Sequence, residues 1–126
     1  MSEENKKVVI SFYEKALNDR DPETAFRLYG GKHYRQHNPL IEDGEQGVRK
    51  FAAWIHDNPR NPRAVIKRVF AEGDYVILHV QWTGLMDGER GEAVVDIVRL
   101  EGGKVVEHWD VIQPIPETAA NQNSMF

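Results

Sequence analysis

The sequence predicts an α+β domain in which three helices come first and a curved antiparallel sheet follows. Two changes of rhythm carry that reading. Apolar residues recur at three and four positions as far as Ile55, the spacing of helices with one buried face. Beyond Pro62 the period becomes two and stays so to Ile112, and no helical stretch separates the strands. Strands that follow one another directly form an antiparallel meander, with the helices packed on one of its faces. The 126 residues suit one domain, 1–126, with a core of ordinary size.

The first helix is predicted from about Glu3 to Asn18, with Val9, Phe12, Tyr13, Ala16 and Leu17 on one face. Asp21 then caps a second, short helix that starts on Pro22, where the missing N–H costs nothing, and ends at Gly30-Gly31. "HYRQHNP" reads as a brief extended segment, since Pro39 biases Asn38 away from helix. Gln46 stands three residues beyond Asp43 as in a capping box, and Val48, Phe51, Ala52 and Ile55 share a face up to Asn58-Pro59. Strands follow near Arg63–Glu72, Tyr75–Thr83, Gly91–Glu101 and Lys104–Ile112, the last two joined by Gly102-Gly103, a pair suited to the positive φ of a tight hairpin.

Composition narrows the function. A net charge of −4 without any Lys/Arg cluster argues against nucleic acid. Zero cysteines exclude disulfides and thiolate zinc sites, and no apolar run approaches the ~18 residues of a membrane span. "MSEENKK" lacks the apolar stretch of a signal peptide, so a cytoplasmic protein is expected.

An unbroken alternation from the Gly102-Gly103 turn would set Asp96 opposite Trp109 and Val98 opposite Glu107. A pairing that brings His79 near Asp96 would gather His79, Asp96, Glu107 and Trp109 on the concave face, with Gln113 on the same side. Tyr34 and His37 would line the mouth, beneath a third helix contributing Phe51. The other face would carry Val76, Leu78, Val80, Trp82, Val95 and Ile97. Left bare, it would be a large apolar patch, so a homodimer through the outer sheet face is expected. The same alternation places His108 and Asp110 at that interface.

A carboxylate beside an imidazole in a half-apolar pocket is an acid–base pair. The plainer alternative for Asp96 is a structural acceptor for Trp109 Nε1 or His79, and for His79 a satisfied core histidine. Glu107 reads more readily as a structural acceptor; for "HNP" at His37–Pro39 a turn is the alternative, and pocket-lining is favoured because the segment precedes the third helix. His33, His37 and His79 lack any metal-ligand spacing, so no metal site is assigned.

The stretch "YRQHNP…DG…F", the segment "AVVDIVRLEGGKVVEHWDVIQPIPE" and the tail "NSMF" together resemble the SnoaL-like family, in its branch of predicted aldol-condensation-catalysing enzymes. The resemblance implies the cone-shaped fold of the nuclear-transport-factor-two-like, cystatin-like or ketosteroid-isomerase-like superfamily, most often a homodimer. It also implies cofactor-independent aldol chemistry on a hydrophobic carbonyl substrate, with Asp96 matching the family's catalytic aspartate and His79 similar in placement to its histidine. A non-catalytic ligand-binding module, or a hydrolase or dehydratase, is the alternative on the same scaffold.

Overall fold

The computed structural model describes residues 2–126. Its elements are α1 (Ser2–Tyr13), a π-helical turn (Glu14–Asn18), α2 (Pro22–Tyr29), β1 (Gly30–Gln36), α3 (Gly44–Asp57), β2 (Arg63–Glu72), β3 (Tyr75–Thr83), β4 (Glu92–Glu101) and β5 (Lys104–Pro114). The expected α+β class holds, and the predicted β2 and β3 coincide with those observed. The sheet has five strands in the order β1-β5-β4-β3-β2. The four-stranded meander is thus extended by the "GGKHYRQ" segment, which pairs parallel to β5.

Asp21 caps α2 as expected, its side chain accepting from Thr24 N–H at 3.2 Å. Asp43 does not cap α3 through its side chain. It accepts instead from the backbone N–H of Gln36 at 2.8 Å, tying the start of α3 to the end of β1.

The first helix ends in a π turn, which shifts the register of its buried face by one residue. That shift delivers Asn18 to β2, an edge strand. The Asn18 carboxamide accepts from Ala64 N–H and donates to Ala64 C=O, both at 2.9 Å, as a neighbouring strand would. Asn18→Ala leaves both backbone groups without these partners and is expected to cost about 1–3 kcal/mol. Urea denaturation checks it through a lowered midpoint at unchanged slope.

The core lies between helices and sheet. Val9, Phe12, Tyr13, Ala16, Phe26, Val48 and Ile55 pack on Val76, Leu78, Val80, Trp82, Val94, Val98 and Leu100. This inverts the expected faces of β3. Asp96 pairs with Leu78, not with His79, so the Val76–Leu78–Val80–Trp82 row turns inward and is buried. The physical reason is area: this row is the more apolar side of β3, and covering it with helices removes more surface from water than covering Tyr75, Ile77, His79 and Gln81.

The second departure lies in β5. Gly102 and Gly103 both have positive φ and pair Glu101 with Lys104, as predicted. The ladder then slips: Leu100 pairs with Val105 but Arg99 pairs with Glu107, leaving Val106 as an extra residue. This β-bulge lets Val105 and Val106 both be buried, and reverses the parity of everything after them. Gly31 accommodates it: a Cβ there would lie 2.5 Å from Val106 Cγ1.

Candidate functional site: a carboxylate–imidazole–carboxylate floor

Because of the bulge, His108 and Asp110 share the inner face with Asp96, while Glu107 and Trp109 face outward. Asp96 (β4) is directly opposite Asp110 (β5), and Val98 opposite His108. Asp96 is 2% exposed. Its Oδ1 meets His108 Nε2 at 2.7 Å and its Oδ2 accepts from Tyr13 OH at 2.9 Å. Trp82 Nε1 donates to the Tyr13 oxygen at 2.8 Å. Asp110 Oδ2 lies 3.6 Å from His108 Nε2, and the Asn38 amide donates to both Asp110 oxygens, at 2.8 and 3.1 Å.

Burial alone would push the His108 imidazole to lower pKa, but the bonded carboxylate of Asp96 and the charge of Asp110 outweigh it and hold it above its ordinary value. Asp110 is raised, chiefly by desolvation, against the lowering effects of His108 and Asn38. Burial and the nearby Asp96 charge keep the Tyr13 hydroxyl far above the ordinary tyrosine range, and burial raises Tyr34 likewise. Both phenols are therefore protonated at neutral pH.

Tyr13, Asn38, Asp96, His108 and Asp110 form the floor of a cavity of ≈ 490 Å³. Its walls are Leu17, Phe51, Trp54, Trp82, Leu85, Met86, Val94 and Ile112, with Leu40, Ile41, Glu42 and Lys50 among the other lining residues. The β3–β4 loop forms its share of the wall because buried Glu92 accepts from the backbone N–H groups of Leu85 and Met86, at 3.2 and 3.3 Å. Desolvation raises the pKa of Glu92.

Of the residues singled out in the sequence, Asp96 and Phe51 line this cavity. His79 does not: it faces outward, where Arg68 and the Phe126 ring hold it. Trp109 also lies outside, stacked on His37 at 4.8 Å with 1° between planes. Glu107 joins His37 Nε2 at 2.7 Å to Arg99 Nε at 2.8 Å, and these two bonds, His37 first, hold its carboxyl below the usual range. Gln113, beyond the bulge, is exposed. Tyr34 packs into the core against Phe12 and Phe26, its hydroxyl accepting from Gln36 Nε2 at 3.0 Å. His33, His37 and His79 therefore lie apart, beside Glu101, Glu107 and Arg68 respectively.

Sequence reasoning missed His108, Asp110, Asn38, Tyr13 and Trp82 as site residues. The available signal was the Val105-Val106 doublet, two apolar residues in succession where alternation demands one. Ligand atoms of Asp96, His108 and Asp110 lie within 4.8 Å of one another, close enough in principle for a cation. The His108 nitrogen that would bind it is already bonded to Asp96, so the trio reads first as an acid–base unit.

The SnoaL-like domain model matches residues 9–108, most of the sequence. The chain belongs to the SnoaL-like family. No curated protein sequence matches it. Among solved structures, this SnoaL-like chain is similar to TsrD from Streptomyces laurentii, at 20% identity over 89% of this chain and 90% of that one, with a TM-score of 0.72. A proposed polyketide cyclase from Bacillus cereus ATCC 10987 has 20% identity over 86% and 74%, also with a TM-score of 0.72. A proposed isomerase of the SnoaL-like family from Agrobacterium tumefaciens has 19% identity over 86% and 97%, with a TM-score of 0.69. At these identities the likeness establishes the fold, shared with nuclear-transport-factor-two-like and cystatin-fold proteins. Among the described residues no helix is long and apolar enough to cross a membrane.

Proposed function

We propose that this SnoaL-like protein carries out metal- and cofactor-independent acid–base chemistry on a hydrophobic carbonyl compound, by enolisation followed by aldol condensation or isomerisation. The observation that carries it is the Asp96–His108–Asp110 floor beneath an apolar cavity. Both Asp96 oxygens are engaged, by Tyr13 and His108, so Asp96 holds the imidazole in its charged form. Asp110, raised in pKa, is the base. It removes a proton α to the substrate carbonyl, and the C–H electron pair moves into the enolate. The charge develops near the His108 cation and the Asn38 amide, in a cavity of low dielectric. Attack of the enolate carbon on a second carbonyl of the same substrate forms the C–C bond, and Asp110 returns its proton to the alkoxide.

The test is α-proton exchange with D2O, followed by NMR on hydrophobic 1,3-dicarbonyl compounds. Protein-dependent exchange with saturation supports the reading. Tight binding with no exchange and no mass change would replace it with the ligand-binding alternative. That alternative has its own support: every buried side-chain N or O among the described residues already has a hydrogen-bond partner, as in a pocket preformed for binding.

The outer sheet face is also proposed to join a second copy of the chain. Of the apolar residues expected on this face, Val95 is exposed there, whereas Val76, Leu78, Val80 and Trp82 are buried on the other side. The exposed apolar residues of the face are Val65, Phe70, Tyr75, Ile77, Val95 and Val111, contributed by four adjacent strands. Light scattering should give twice the monomer mass, and Val95→Lys should shift the protein toward monomer; a wild-type monomer at high concentration overturns it.

A further inference from the structure

We propose that Gln36 is a positioning residue that fixes a proton on Nδ1 of His108, so that Nε2, against Asp96, is the nitrogen at which the ring gains or loses its second proton. This rests on the acid–base reading above and assigns one more residue to it. Gln36 closes β1, whose parallel pairing with β5 sets it beside His108, secured by the His37 N–H bond to His108 C=O at 3.0 Å. Gln36 Oε1 lies 2.8 Å from His108 Nδ1.

An amide side chain could present either its oxygen or its nitrogen there, and its neighbours decide which. The backbone N–H of Asn38 points at the same Gln36 atom at 2.9 Å. A backbone N–H can only donate, so that atom is the oxygen. The oxygen can only accept, so His108 Nδ1 must carry hydrogen. The other half of the amide is consistent, since Nε2 donates to Tyr34 OH. The backbone N–H of Gln36 donates to Asp43, which anchors the residue from the α3 side.

One ring nitrogen then faces an amide oxygen and the other a carboxylate. The doubly protonated imidazolium is the form that serves both acceptors. Without Gln36, the neutral ring could place its single proton on Nε2, satisfy Asp96 and leave Nδ1 bare. Gln36 thereby disfavours the neutral ring. The titratable groups facing His108 are Asp96 from β4 and Asp110 from β5, with Tyr13 from α1 behind Asp96 and Tyr34 from β1 behind Gln36. Glu42 and Lys50 line the same cavity.

The experiment is 15N NMR of the full chain with labelled histidine across a pH series, which needs no substrate. In the wild type, His108 Nδ1 should remain protonated at every pH, with Nε2 alone titrating. In Gln36→Leu, proton affinity should fall roughly tenfold and the neutral ring should carry its proton on Nε2. Gln36→Glu, which keeps an acceptor in place, should restore the Nδ1 proton and raise the midpoint. If α-proton exchange is present, Gln36→Leu should lower kcat with KM unchanged, because Gln36 does not line the cavity. A wild-type neutral ring protonated on Nε2, or a Gln36→Leu titration matching the wild type, overturns the proposal. Absence of exchange in every protein would count against the acid–base reading and leave the NMR result standing.

Discussion

Asp110→Asn should lower the rate of α-proton exchange by about 10²–10⁴-fold, the range associated with removing a positioned general base. The neutral amide keeps the shape of the side chain and an oxygen for the Asn38 N–H bonds, so KM and melting temperature should change little. The pH profile gives a sharper reading. Activity requires Asp110 ionised, so it rises through a pKa held above the ordinary aspartate value by burial. It also requires His108 protonated, so it falls through a pKa above 6.5. Wild-type protein should therefore show a bell, and Asp110→Asn should lose the acid limb. An unchanged rate in Asp110→Asn would remove Asp110 from the base role.

Asp96→Ala should act on stability as strongly as Asp110→Asn acts on rate. It strips the acceptor from Tyr13 OH and leaves the His108 cation with no carboxylate at hydrogen-bond distance in a largely buried site. Breaking a buried pair from one side costs about 3–5 kcal/mol, which lowers Tm on the order of 10 °C or more in a chain of this size. The pH dependence follows from the direction of the His108 shift. Its folded-state pKa lies above the unfolded 6.5, so the stabilisation is fully present below that value and is lost as pH rises through the folded pKa. The gap between wild type and Asp96→Ala should narrow over that interval. Calorimetry across pH checks it, and a variant melting within about 2 °C of wild type would mean that the Tyr13–Asp96–His108 chain does not hold the site together.

Helix positions, strand limits and the hairpin turn were legible because each depends on local pattern: the Asp21-Pro22 start, the Gly102-Gly103 turn and period-two apolar rows all carry their own signal. The family was legible in the closing segment. Facial assignment was not, because a strand reads the same from either side until something covers it. For β3 the decision belongs to the helices, which take Val76, Leu78, Val80 and Trp82 and leave His79 outside. For β5 it belongs to one extra residue, Val106, fitted against Gly31 some 75 positions earlier in the sequence. A local count through "VVEHWD" therefore exchanges Trp109 and Glu107 for His108 and Asp110. Asp96 lies on the inner face as expected because it precedes the slip and because Tyr13 and His108 satisfy it where it is buried.

The amide clamp of Asn18 on Ala64 bears on how the edge of the sheet meets other chains. A sheet rim with free N–H and C=O groups invites another chain to dock and extend it without limit. Here the rim at Ala64 is already occupied by side-chain amide atoms, the ladder breaks between Ile66 and Arg68, and Arg63, Lys67 and Arg68 supply positive charge along it. Strand-upon-strand pairing is disfavoured at that stretch of the margin, where two backbone groups already have side-chain partners.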